Sequence, residues 1–379
     1  MKRLFPFTLL LFLLLSCQEK ISRQTASTID VQKAALDSLG ERYLQLGRFS
    51  GMILIAQEDS LRYANSFGMA NYEEAIPFRS HTAFQIGELA QLVYRDLLER
   101  TVSNKQVNLD TSLRTYLPEI ESDLTLSKLL HADTLISNRQ MIQLIERVSA
   151  RSFDEQLLAY TQESGLQHTG LQPSDSLTAI GYLYQNYRGQ GLELHTAAES
   201  QEGSSANRAA LYASARDVLQ ILRRQDTKLE IHGYVADDGF SYAVQHRPNS
   251  DRSIVILSNR RHPVGEEILQ RIEALLEGEA YQLPLERKPV TIDPKTLADF
   301  SGHYALNEQI QFEVRDAQDS LYVFLGPTKT RLIPQSSHQF YMEETDAALR
   351  FIRDASGSVE EVILLNGFMD SEQIAKRIR

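Results

Sequence analysis

FSGMILIAQEDSLRYANSFG (residues 49–68) contains two β-rich runs, Phe49–Gln57 and Leu61–Gly68, separated by the polar triplet Glu58-Asp59-Ser60. Two apolar runs split by a short polar break predict neighbouring antiparallel strands. Just upstream, Leu36, Leu39, Tyr43 and Leu46 recur at three- and four-residue steps, which predicts an amphipathic helix ahead of the hairpin. Downstream, Ile76-Pro77 begins a loop. From Glu88 the spacing of Leu89, Leu92/Val93 and Leu97 fits a helix with one buried stripe. Pro118 should end a short element within Asn108–Glu119.

Farther out, residues 126–171 read as mostly helical, 181–205 as a long polar surface segment, and 208–222 as helix again. Two more β-rich runs follow, Gly239–Gln245 and Ser253–Ser258, split by Pro248-Asn249-Ser250-Asp251. Glu266–Leu276 then reads as a helix with Ile268, Ile272 and Leu275 on one face. Strands at both ends of this region and helices between them imply a single antiparallel sheet built from both ends of the region and flanked by helices. That is an α/β (α+β) arrangement.

Residues 279–296, with Pro284 and Pro289 and little periodicity, read as a linker. Beyond it short strands crowd together: Ile310–Val314, Leu321–Leu325, Arg331–Ile333, Gln339–Met342, Leu349–Arg353 and Val359–Leu365. Turns are supplied by Asp316–Asp319, Gly326-Pro327 and Ala355-Ser356-Gly357. Residues 297–379 are therefore expected to form a small all-β domain.

The chain has 379 residues and a net charge of −11, with 39 basic against 50 acidic side chains and no Lys/Arg block. Nucleic acid is not expected as a partner, because tracking phosphates needs clustered positive charge. The single cysteine, Cys17, rules out an internal disulfide and any thiolate cluster. It closes a segment with a basic start, Met1-Lys2-Arg3, and an apolar run from Leu4 to Leu15. That run is too short for the roughly 20 residues of a membrane span and has the length of a signal-peptide core. Ser16-Cys17 after Leu14 and Leu15 resembles a bacterial lipobox. The resemblance implies a signal peptide at 1–16, lipidation of Cys17, and a tethered stalk at 17–30 leading into a domain at 31–278. The expected location is the cell envelope, with the body outside the cytoplasm and held on a membrane by its lipid.

Several stretches resemble, in order, the β-lactamase-related serine hydrolases, the group that shares the fold of class C β-lactamases and penicillin-binding proteins. They are FSGMILIAQ (49–57) with SFGMANYEEAIPF (66–78), TAFQIG (82–87), VNLDTSLRTYLPE (107–119), LTLSKLLHADTL (124–135), IERVSARSF (145–153), SGLQHTGL (164–171), LYASARDVL (211–219) and IVILSN (254–259). LADFSGHY, which opens at Leu297, resembles the start of the C-terminal domain appended to many of them. The resemblance implies a β-lactamase/transpeptidase-like fold and a Ser-x-x-Lys motif, in which the serine attacks a carbonyl and the lysine, one turn on, assists its deprotonation.

Here the aligned tetrapeptide is Glu88-Leu89-Ala90-Gln91, and no serine in the chain has a lysine three residues later. Gln91 does not titrate near neutrality, and a carboxylate at position 88 repels an anionic substrate. The family's Tyr-x-Asn is matched in position only by Ile136-Ser137-Asn138; Tyr184-Gln185-Asn186 matches in pattern but out of order, as a loop triplet. The third element is matched loosely by His232-Gly233-Tyr234. Glu88, Gln91, His232 and Gly233 are thus degenerate active-site positions, and no catalytic residue is assigned. The nine histidines show no His-Glu-x-x-His pairing, and there is no Walker or Gly-x-Gly-x-x-Gly loop, so neither metal nor cofactor is expected. The expected function is that of an inactive relative acting as an envelope binding or scaffolding protein, with an envelope peptide, a peptidoglycan fragment or a protein as partner. The alternative is an active hydrolase using a non-aligned nucleophile.

Overall fold

The structure is a computed structural model. It describes residues 32–378 apart from 59, 121–122, 132–135, 172–177, 187–191, 198–209, 236–237, 261–263, 285–288, 318, 327, 343–346 and 366–372. The expected signal peptide, Cys17 and the stalk lie outside the described residues. No helix among the described residues is long and apolar enough to cross a membrane. Two compact units emerge, one of residues 1–261 with 265–282 and one of residues 262–264 with 283–379.

In the first unit, helix α1 (32–45) precedes β1 (Gly51–Gln57) and β2 (Ser60–Phe67). A two-stranded piece, β3 (Met69–Asn71) with β4 (Ile76–Pro77), leads to β5 (Ala83–Gln85) and then, through one 3-10 turn (Gly87–Leu89), to α2 (Ala90–Lys105). Helices α3 (Leu126–His131), α4 (Asn138–Ser149) and α5 (Phe153–Ser164) follow. α4 and α5 start at Ser137 and Ser152, whose hydroxyls accept N–H groups of the first turn that would otherwise lack partners. Next come β6 (Thr169–Gly170), the hairpin β7 (Tyr182–Asn186) and β8 (Leu192–Thr196), β9 (Tyr212–Ser214) and α6 (Ala215–Leu222). The unit ends with β10 (Leu229–Val235), β11 (Phe240–Arg247), β12 (Arg252–Ser258) and α7 (Gly265–Glu277).

The main sheet has the order β10-β11-β12-β1-β2 with every pair antiparallel, so both ends of the region do build it. Its central strands are apolar on both faces, which suits a sheet covered on both sides. On one face Met52, Leu54, Tyr242, Val244, Val255 and Leu257 join a core with residues of α2, α4, α5 and α6. On the other face lies α7, whose Gly265 approaches Ala243 so closely that a Cβ would stand 2.9 Å from that residue's own. α1 packs there as well: Tyr43 donates to Glu267 of α7 at 3.2 Å, and Asp37 accepts from Tyr63 and Asn65 of β2.

Two segments differ from the sequence reading. Residues 181–205 contain the β7/β8 hairpin rather than only loop, and Tyr184-Gln185-Asn186 lies on β7, paired with Leu192–Leu194. Residues 212–214 form a short strand between β5 and β6 in a three-stranded sheet, and the helix begins only at Ala215.

The second unit is a closed eight-stranded barrel: β13 (Gly302–Ala305), β14 (Gln311–Ala317), β15 (Ser320–Leu325), β16 (Thr328–Pro334), β17 (Gln339–Met342), β18 (Ala348–Arg353), β19 (Val359–Leu365) and β20 (Gln373–Ile378). β20 returns to pair with β13. Phe300, Tyr304, Phe312, Phe340 and Phe351 fill the interior with ring centroids 4.7–5.9 Å apart, so the barrel is a packed core. Within the stretch read as a linker, Val290 donates its N–H to the Pro334 carbonyl and Ile292 packs against this core.

Candidate functional site

Strand β5 delivers the chain into Gly87, whose φ of +52° is the left-handed region that glycine enters without penalty. A Cβ at Gly87 would also sit 2.8 Å from the Tyr242 ring and 3.0 Å from Val235, so this residue lets the turn press against β10 and β11. The next residue, Glu88, is exposed at the start of the helical segment, and its N–H donates to the Tyr242 hydroxyl at 3.1 Å. Burial pushes the Tyr242 phenol up to about 12; the Glu88 carboxylate adds to this, while the hydrogen bond from its N–H opposes it.

One turn on, Gln91 is buried, and its Nε2 donates to the Ile136 carbonyl at 3.0 Å and to Asn138 Oδ1 at 2.6 Å. Asn138 Nδ2 in turn donates to the Gly87 carbonyl at 3.2 Å. Asn138 therefore ties both ends of the first helical turn, which brings Ile136 and Asn138 beside Gln91. Gln91 Oε1 is buried with no hydrogen-bond partner among the described residues, and an unsatisfied buried acceptor costs about 1–3 kcal/mol. At the adjacent strand end, Gln85 Nε2 donates to Asp238 Oδ2 at 2.9 Å. Tyr212 has its phenol raised by burial and then by the charge of Asp238.

The sheet register separates the last two of the sequence-derived positions. Gly233 pairs with Tyr242, and a Cβ there would meet the Tyr242 hydroxyl at 2.8 Å, so Gly233 faces Glu88. His232 pairs with Ala243, on the face that α7 covers. Its Nδ1 is 3.6 Å from Glu266 Oε2 in the first turn of α7, with both side chains about half exposed (45% and 47%). Glu88, Gln91 and Gly233 come together, whereas His232 points away as half of a surface pair. Sequence reasoning missed Tyr242, which occupies one position in an apolar strand, and Gln85 and Asp238, which carry no motif. Among the described residues, no group of His, Cys, Asp or Glu is arranged to hold a metal.

Residues 286–377 match a family model described as a domain of unknown function, DUF3471. No curated protein sequence matches the chain. Among solved structures, the chain is similar to the octameric penicillin-binding protein homologue from Pyrococcus abyssi, with TM-score 0.52 and 15% identity over 90% of this chain and 99% of that one. It is also similar to the penicillin-binding protein from Bacillus halodurans, with TM-score 0.51 and 18% identity over 62% and 99%. A class C β-lactamase aligns with TM-score 0.50 and 13% identity over 66% and 98%. The chain thus carries the β-lactamase/penicillin-binding-protein type of serine-hydrolase fold, and its second unit contains the DUF3471 match.

Proposed function

We propose that the first unit is a catalytically inactive member of this fold that binds rather than cleaves, and that it is held on an envelope membrane by lipid at Cys17. The observation that carries the reading is Gln91, an amide locked to Ile136 and Asn138 where the fold's mechanism needs an amine. Glu88 supplies a carboxylate in place of a hydroxyl, and its backbone N–H is engaged by a phenol that stays protonated at neutral pH. No described group within hydrogen-bond reach of Glu88 serves as its acid–base partner. The exposed Glu88, with Asp238 at the adjacent strand end, favours a neutral or amine-bearing ligand over an anionic one. An envelope peptide, a peptidoglycan fragment carrying a free amine, or a basic segment of a partner protein has that chemistry.

The test is covalent labelling of the intact chain with a fluorescent penicillin and with a fluorophosphonate. We expect no adduct. A stoichiometric adduct that survives denaturation would overturn the reading and support a hydrolase with a non-aligned nucleophile.

A further inference from the structure

A second concavity lies in the first unit, among residues that the hydrolase-like cleft does not use. It is a cavity of about 760 Å³ that runs along α6 from its first turn to just past its C-terminus, beside the C-terminal end of α5 and the loop before β5, and its charged and titratable lining is His81, His168, Arg216, Asp217, Arg223 and Arg224. Three guanidiniums against one carboxylate leave a formal charge of +2 with both imidazoles neutral, in a chain whose overall charge is −11.

The carboxylate is already consumed. Asp217 is buried, and its Oδ2 accepts the His168 N–H at 2.7 Å and the Thr169 hydroxyl at 2.8 Å, which fixes the backbone that carries His168. The cations are held in different ways. Arg224 is exposed and its Nη2 donates to the Ser164 carbonyl at 2.6 Å, and Arg223 stands 3.8 Å from Asp251. Arg216 is exposed and makes no hydrogen bond or ion pair among the described residues. The His81 and His168 rings lie side by side, with centroids 5.4 Å apart, and neither ring nitrogen has a hydrogen-bond partner among the described residues.

We propose that this cavity binds a phosphoryl group. Guanidiniums on α6 and just past its end share the lining with imidazoles from the loop before β5 and the segment before β6, and a donor-rich set of this kind suits an oxyanion with three terminal oxygens better than a two-oxygen carboxylate. The cavity exceeds the size of a bare phosphate, so the group is the head of a larger phosphoester, either soluble or the phosphomonoester headgroup of a lipid.

Isothermal titration of the whole chain at physiological salt, with inorganic pyrophosphate and with dihexanoyl phosphatidic acid, tests the proposal and separates the two sources. Single-site binding of pyrophosphate alone indicates a soluble phosphoester; tighter binding of the short-chain lipid indicates a headgroup. Arg216→Glu should weaken binding at least tenfold, and His81→Gln several-fold. Arg216 is exposed and His81 half-buried, so the urea transition of each variant is compared with that of the parent chain, and Glu88→Ala should leave binding unchanged. Absence of binding by either titrant at millimolar concentration overturns the proposal. So does binding that Arg216→Glu leaves intact.

Discussion

The Glu88 cleft and the Asp217 cavity sit in the same unit and use a carboxylate in opposite ways. Glu88 is exposed, only its backbone is engaged, and the groups around it are amides and phenols with one further carboxylate. Asp217 is buried at the third position of α6, accepts two hydrogen bonds from outside the helix, and is surrounded by guanidiniums and imidazoles. A buried acceptor with neutral donors holds structure together, whereas an exposed charge with no consumer is left to meet a ligand. The contrast assigns architecture to one carboxylate and recognition to the other.

That assignment can be broken most easily at its strong end. Asp217→Ala strands the His168 N–H and the Thr169 hydroxyl, and we expect the first unit to lose about 3–4 kcal/mol, read from its urea transition. A loss under about 1 kcal/mol would erase the distinction between the two carboxylates.

Next in size is an alkaline effect confined to the cleft. Tyr242 ionises near 10 when unfolded and near 12 when folded, chiefly because it is buried. Its contribution to stability is therefore complete below about pH 10 and is lost as the pH climbs toward 12. Between pH 9 and pH 12, Tyr242→Phe should lose roughly 2 kcal/mol less stability than the parent chain. Equal losses would mean that the phenol does not feel its burial. The smallest effect sharpens the comparison from the other side. Glu88→Ala should leave stability within about 0.5 kcal/mol of the parent while weakening any amine-bearing ligand of the cleft.

Much of the main sheet was legible because β1 and β12 carry the continuous apolar runs MILIA and IVIL, and β11 pairs beside them after a short polar break. Its edge strand β10 was not read, although Leu229 and Ile231 alternate with Glu230 and His232 as strand residues do, because the run is short and Gly233 interrupts it. The barrel strands β13 and β20 escaped for related reasons: GHYA is too short to show a period, and QIAKRI exposes four of its six residues. At the site, Glu88 and Gln91 were singled out by the resemblance, as the tetrapeptide that follows TAFQIG (82–87) where the family carries Ser-x-x-Lys, and their three-residue spacing puts them on one helix face. The sequence alone could not say more. It could not locate the direction of His232. That depends on the register with β11, where a slip of one residue would turn the imidazole from the α7 face to the Glu88 face. The partnership of Gln91 with Asn138 was likewise invisible, since two helices distant in sequence had to be packed before the amides could meet.

The ring of the second unit closes where Tyr304 pairs with Arg377 and His303 with Ile378, residues from the two ends of that domain. Hairpins such as β14/β15 and β18/β19 can form from local chain as soon as it exists, but this seam must wait for the last strand and bear the entropy of closing the longest loop. Once closed, the ring has no free strand edge on which a neighbouring chain could add itself, so partners of this unit are met through side chains and loops rather than by extending a sheet.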